Sequence, residues 1–299
     1  MAVQNGDRWL APQIASILAQ ENTSCTWAVT DDASSDNSLE IIQNMVSPDR
    51  LVLTSLNKKS GLPDVFLNML HGSRTNHDYY AFADQDDEWS NNKLDRACHA
   101  LNALPPGQAA LWVSSITITS ESDHVHREPT KRPTLGNAFV EGLAPGCSMV
   151  WNAALHNQLV IPGSNKCKMH DTWMYLSACI LGSIIVESDS MVDFRLHTSN
   201  AVGNRNDIMS RIRRFFGEIR GARVSMETQA QAFIEAYGSR LSQDELALAQ
   251  TVATGTRRNR LRALAKGDLA RTTLRDNILL ALRLLIVLTP QHIDSPPLE

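Results

Sequence analysis

Five carboxylates in two short stretches are the residues of this chain best suited to chemistry. Residues 78–89 run from Asp78 through Tyr79, Tyr80, Ala81, Phe82 and Ala83 into Asp84-Gln85-Asp86-Asp87-Glu88-Trp89, an apolar, strand-like run that ends in Asp84, Asp86 and Asp87. Carboxylates crowded at the end of a buried strand raise one another's pKa and are costly to desolvate. A hard divalent ion, Mg²⁺ or Mn²⁺, is the usual remedy, because it keeps water and takes further oxygens from a substrate phosphate. The plain alternative is an acidic loop that happens to follow a strand. Upstream, Trp27-Ala28-Val29-Thr30 ends in the same way at Asp31-Asp32, and Ser34 or Asp36 is placed to cap a helix beginning near Ser38. Both clusters fall at carboxyl ends of strands, the edge outside which open α/β sheets bind ligands.

The elements that must position these groups alternate in the first half. Apolar residues at helical spacing (Leu10, Ile14, Ile17, Leu18) predict a helix, followed by a strand at 27–30, a helix at 38–46 and a strand at 51–54. A helix near 64–74, a strand at 79–83 and a helix over 91–103 continue the pattern, which is that of a doubly wound, mostly parallel sheet. Residues 110–119 predict a strand, 120–137 a mobile loop, 152–159 and 171–181 helices, and 184–186 a strand. Met1 to Gly6 reads as the tail of a strand, so the natural chain is expected to begin upstream.

Length and composition are those of a globular protein: 299 residues, 43% apolar and 20% charged. Residues 1–204 carry 13 Lys/Arg against 22 Asp/Glu, whereas 205–299 carry 15 against 10. The acidic part suits a metal-dependent site and the basic part an anionic surface. The 5 cysteines form no CxxC pair, which argues for a reducing compartment and against a zinc site. With no leader and no apolar run of membrane-spanning length, a cytoplasmic protein is expected.

Taken in order, these segments resemble the family 2 glycosyltransferases, and among them the rhamnosyltransferase-like members. Asn5-Gly6 with Trp9-Leu10 is similar to the family opening, and Asp31-Asp32-Ala33-Ser34-Ser35-Asp36 to its DDGSxD turn, with Ala where Gly is usual. Asp84-Gln85-Asp86-Asp87 with Trp89 and Lys93 resembles the DxDD element, and Gly146-Cys147-Ser148-Met149 the acceptor-side segment. His170-Asp171-Thr172-Trp173 and Arg195-Leu196-His197 resemble later motifs of the subgroup. The resemblance covers about residues 1–205 and implies a GT-A fold, followed by a helical, Arg-rich region over 206–299.

It further implies an inverting transfer from a nucleoside-diphosphate sugar of the thymidine or uridine type to a saccharide acceptor of a surface polysaccharide such as an O-antigen. By the same resemblance, Asp31 accepts from the base, and Asp32, Asn5, Asp84, Lys58 and Arg195 line the donor site. Asp86, Asp87 and His197 hold the metal, and Asp171, assisted by His170, is the general base. Gly146, Cys147, Ser148 and Trp173 lie on the acceptor side, Cys147 through packing. Trp89 and Trp173 are candidate sugar-stacking walls, with core packing as the alternative use.

Two other classes remain in view. A nucleotidyltransferase would carry a Gly-rich phosphate loop after its first strand, but Gln4-Asn5-Gly6-Asp7-Arg8 holds one glycine. An inactive scaffold would have no need of the carboxylates. No feature calls for nucleic acid. The basic tail (Arg211, Arg213, Arg214, Arg257, Arg258, Arg260, Arg262 and the leucine-rich 278–288) reads either as a peripheral contact with anionic lipid, suited to a lipid-linked acceptor, or as a solvated face on a helical core.

Overall fold

Short apolar runs bounded by turn residues build a first, wholly parallel sheet in the order β1-β2-β3, from β1 (Ala2–Val3), β2 (Trp27–Asp31) and β3 (Leu51–Ser55). The computed structural model describes residues 1–73, 77–119, 124–127, 129, 133–196 and 224–286. Helix α1 (Asp7–Leu18) buries Leu10, Ile14 and Ile17, three members of the predicted stripe, while Leu18 is exposed. Helices α2 (Ser38–Met45) and α3 (Asp64–Gly72) follow at the expected places.

The second sheet departs from the expected mostly parallel arrangement. Its path is β4-β8-β6-β9-β5, with β4 (Tyr79–Ala81), β5 (Glu88–Trp89), β6 (Ala110–Thr119), β8 (Met149–Asn152) and β9 (Ser183–Arg195). Among its described strands only β6 and β9 pair in parallel; β4–β8, β8–β6 and β9–β5 are antiparallel. Part of the stretch expected to be a loop forms β7 (His124–Arg127), antiparallel to β6, and helix α5 (Leu135–Val140). A chain that returns directly along its own strand needs no crossover helix, which is why this half is mixed.

Strand β9 is 13 residues long, where the apolar pattern marked only 184–186. Its polar middle is retained because Arg96, on α4 (Lys93–Asn102), bonds Glu187 at 2.8 Å and Asp189 at 2.7 Å.

The alternation of β6 divides the interior in two, as the period of a strand requires. Leu111 and Val113 face one apolar cluster, and Ala110, Trp112 and Ile116 the other. The first cluster takes in α6 (Ala153–His156), α7 (His170–Leu181) and the C-terminal helices α8 (Met226–Tyr237), α9 (Gln243–Ala253), α10 (Arg257–Lys266) and α11 (Leu274–Ile286). The tail shares the interior of the sheet domain: Phe233 and Tyr237 pack on Trp173, and the Tyr237 hydroxyl bonds Ser177 at 3.1 Å.

Candidate active site

The carboxyl ends of β1 and β2 meet the acidic turn after β4 along one edge. Asp32 N donates to Val3 O at 2.7 Å, joining the strand ends. Gln85 then ties the acidic turn to them: its Oε1 accepts from Gln4 N at 2.7 Å and its Nε2 donates to Gln4 O at 3.2 Å. A Cβ on Gly6 would lie 2.5 Å from Gln85 Oε1, so glycine is required for this approach. On the other side, Gln13 Nε2 donates to Asp84 O at 2.8 Å.

The two aspartates ending β2 are used differently. Asp32 is buried, and its oxygens accept from Ser60 N at 2.6 Å and Gly61 N at 2.8 Å. Its carboxylate therefore holds the loop after β3. Asp31 is also buried; Oδ2 accepts from Ser34 N at 3.2 Å, whereas Oδ1 has no partner among the described residues. A buried acceptor with a spare lone pair fits a ligand N–H.

Asn5 accepts from Ser35 N at 2.8 Å, and Asp36 receives the N–H groups of Asp7 and Ser38, tying α1 to α2. Partial burial pushes Asp36 up, but the bonds from Ser38 and Asp7 prevail and hold it below the usual carboxylate range. Lys58 is exposed; its neighbour Lys59 is the lysine that reaches the edge, donating to Gln4 Oε1 at 3.0 Å.

Asp84 and Asp86 are half-buried, while Asp87 is fully buried beside the Cys147 thiol. Burial, then the charges of Asp86 and Asp171, lift Asp84 to about 7. Burial and the charges of Asp84 and Asp86 raise Asp87 well above the carboxylate range. Ligand atoms of Asp84, Asp87 and Cys147 lie within 4.8 Å of one another, but burial keeps the Cys147 thiol protonated. The usable donor set is oxygen, which suits a hard divalent ion.

Across the edge, α7 begins at His170 and carries Asp171 in its first turn, with Thr172 N donating to Asp171 Oδ1 at 2.6 Å. Asp171 is near enough to Asp84 to contribute to that group's upward shift. His170 departs from its expected catalytic part: its ring is buried, stacked on Phe66 at 3.9 Å and edge-on to Phe82 at 4.7 Å. Neither ring nitrogen has a hydrogen-bond partner among the described residues, and burial lowers its pKa to about 4. It is a neutral packing ring that fixes the start of α7. Gly146 makes room for it, since a Cβ there would lie 2.7 Å from His170 Nε2.

A match to the family described as "Glycosyl transferase family 2" spans residues 1–158. The chain belongs to that family. This glycosyltransferase is 26% identical to the "dTDP-rhamnosyl transferase RfbG" of Shigella flexneri, over 68% of the chain and 73% of that protein. It is 31% identical to an "Uncharacterized glycosyltransferase" of Haemophilus influenzae, over 32% of the chain and 38% of that protein. Among solved structures, S. aureus TarS residues 1–349 in complex with UDP-GlcNAc superposes with a TM-score of 0.53 at 16% identity, covering 89% of this chain and 86% of that one. The GT-A type of fold is thereby shared.

Several expected site residues of the glycosyltransferase lie off the edge. Trp173 is 1% exposed, with its indole N–H donated to Val160 O, and Trp89 is 7% exposed, so both are core residues rather than sugar-stacking walls. Gly146, Cys147 and Ser148 are all buried. Arg195 pairs with Glu88 and flanks the Trp9 ring, which engages its fork within the protein. His197 lies outside the described residues, as do Arg211, Arg213 and Arg214.

Two residues given no role from sequence matter here. Gln85 locks the acidic turn; Lys93 is fully buried beneath it. The signal for Lys93 was its register, because it precedes the buried Ala97 and Leu101 at intervals of four along α4.

Proposed function

We propose that this glycosyltransferase moves a sugar, with inversion, from a nucleoside-diphosphate donor to a hydroxyl of a growing, lipid-linked surface polysaccharide, with rhamnose from a thymidine-diphosphate donor as the leading candidate. The observation that carries this reading is the convergence on one edge of an unpartnered Asp31 oxygen, the acidic turn 84–87 and Asp171. The rhamnose assignment draws on the Shigella flexneri relative, whose printed name carries that donor.

Asp31 Oδ1 accepts the N3–H of a uracil or thymine. Asp84 and Asp86 are the residues that would hold Mg²⁺ or Mn²⁺, which when bound supplies Lewis-acid neutralisation of the departing diphosphate. Asp171 takes the proton of the acceptor hydroxyl as that oxygen attacks the anomeric carbon from the face opposite the leaving group. One C–O bond forms, the C–O bond to phosphate breaks with its electrons on the phosphate, and the configuration inverts.

Support for a lipid surface comes from α11, where Leu274, Ile278, Leu282 and Leu285 are 78%, 54%, 45% and 53% exposed along one face. Arg258, Arg262 and Arg275 are exposed on the same pair of packed helices, α10 and α11, and suit anionic headgroups. The basic character is narrower than the sequence suggested: Arg260 and Arg283 are buried around Glu227. Sedimentation with anionic vesicles should carry the protein down at low salt; protein left in the supernatant rejects the lipid contact.

The deciding assay follows nucleoside-diphosphate release from a panel of thymidine- and uridine-diphosphate sugars with Mn²⁺, with and without EDTA. Release from one donor that EDTA and Asp86→Ala both abolish is the expected result. Release that is indifferent to EDTA would remove the metal from the mechanism.

A further inference from the structure

Strand β1 has a described neighbour on one side only, and Gln85 takes the place of a strand on the other. Met1 O and Val3 O accept from β2, through Thr30 N at 3.0 Å and Asp32 N at 2.7 Å. Alternate residues of an extended chain turn their N–H and C=O to opposite sides, so those of Gln4 face away from β2. Backbone groups withdrawn from water are almost always paired. The Gln85 side chain does this, because a carboxamide carries an acceptor and a donor in one plane. Its Oε1 accepts from Gln4 N and its Nε2 donates to Gln4 O.

Gln4 is also where the base side of the edge begins. Asn5 N donates to Ser34 Oγ at 2.9 Å, Ser35 N to Asn5 Oδ1 at 2.8 Å, and Gly6 N to Ser38 Oγ at 2.8 Å. Residues 4–6 are thus fastened to the turn whose Ser34 N meets Asp31. Gln85 itself lies between Asp84 and Asp86 in the chain. One carboxamide therefore joins the two groups that a nucleoside diphosphate must reach at once. There is little slack in the joint: a Cβ on Gly6 would lie 2.5 Å from Gln85 Oε1 and 2.7 Å from its Cδ. From the other side, Gln13 Nε2 holds Asp84 O at 2.8 Å.

We propose that Gln85 is a positioning residue for donor selection: its paired bonds to Gln4 set the distance from Asp31 to Asp84 and Asp86, so that a single nucleoside diphosphate spans both. Its amide is spent on Gln4, and it acts through the backbone of Gln4 and of its own turn. This rests on the donor and metal reading given above.

The test compares the whole ligand with its parts on the full chain. Kd is measured for thymidine by ligand-observed NMR, and for pyrophosphate and thymidine diphosphate, each with Mn²⁺, by calorimetry; uridine and its diphosphate are run alongside. Joining two fragments gains affinity only where the spacing of their subsites fits. Gln85→Met keeps the length of the side chain and removes both hydrogen bonds. It should weaken the nucleoside diphosphate at least about tenfold, while the nucleoside and pyrophosphate each stay within about threefold of the parent. Gln85→Glu, which keeps the acceptor for Gln4 N and loses the donor to Gln4 O, should fall between.

Equal weakening of pyrophosphate and nucleoside diphosphate would overturn the proposal, by showing that Gln85 only holds the acidic turn together. So would a nucleoside-diphosphate Kd that Gln85→Met leaves within about twofold of the parent. If Gln85→Met fails to fold, the same comparison on Gln85→Glu decides; failure of both to fold assigns the carboxamide to the fold and overturns the proposal. A parent that binds neither nucleoside diphosphate brings down the donor reading and the role of Gln85 with it, whereas a parent and a Gln85→Met protein that bind one equally well refute the role of Gln85 alone.

Discussion

Gly146→Ala tests whether the start of α7 is held rigidly enough to aim Asp171. The added Cβ would lie 2.7 Å from His170 Nε2 and 3.6 Å from Asp171 Cβ. Against a comfortable separation of about 3.5 Å, the ring must retreat by roughly 0.8 Å. It has little room, since Phe66 stacks on one face at 3.9 Å and Phe82 meets its edge at 4.7 Å. Overpacking of this kind costs about 1–3 kcal/mol of stability. The displacement passes directly to Asp171, the next residue, and misplacement of a reacting group by about 1 Å costs about 100-fold in rate.

Urea denaturation should therefore register a loss of about 1–3 kcal/mol, while kcat for sugar transfer falls about 10- to 100-fold. Binding of Mn²⁺ with the nucleoside diphosphate should stay within about twofold, because the atoms nearest the added Cβ belong to His170 and Asp171. Unchanged stability together with unchanged kcat would refute the reasoning, by showing that the His170 ring moves aside freely. An equal loss of nucleotide binding would show that the substitution spreads to the donor side.

Asp31→Ala should weaken nucleoside-diphosphate binding by about 10- to 100-fold, the worth of a hydrogen bond to a charged acceptor, with calorimetry as the check; unchanged affinity would remove Asp31 from base recognition. Ala33 occupies the left-handed region at φ 59°, a conformation costing an L-residue about 1–2 kcal/mol. Because glycine gives back part of that gain in backbone entropy, Ala33→Gly should raise stability by roughly 0.5–1 kcal/mol, and a fall would show that the Ala33 methyl packs usefully.

Asp84, lifted to about 7 from an ordinary 3.8, contributes stability that is fully present below about pH 4 and is lost as pH rises through 7. A divalent ion that displaces its proton should therefore raise the thermal midpoint more at pH 8 than at pH 6, and a shift independent of pH would contradict this. Lys93, lowered to about 7 by burial, runs the other way but only above pH 7, where its contribution grows.

What the sequence determined by itself is local. The apolar run into Asp84-Gln85-Asp86-Asp87, the Asp31-Asp32 turn and the strand at 110–119 are written in nearest-neighbour chemistry, and the structure carries them at the expected places. The helix stripe of α1 is legible for the same reason, because periodicity is a property of a segment.

Which carboxylate faces a ligand was not legible, because that depends on partners far along the chain. Asp31 and Asp32 are adjacent and alike in type, but only Asp32 meets the N–H groups of Ser60 and Gly61, leaving Asp31 with a spare oxygen. His170 reads as a catalytic neighbour of Asp171 until Phe66 and Phe82 enclose it, and Trp173 as a sugar platform until Phe233 and Tyr237 cover it. The polar centre of β9 gave no strand signal because its compensation comes from Arg96 on another element. Burial is set by the sum of long-range packing, so the tertiary structure alone decided which of the chemically able side chains are free to act.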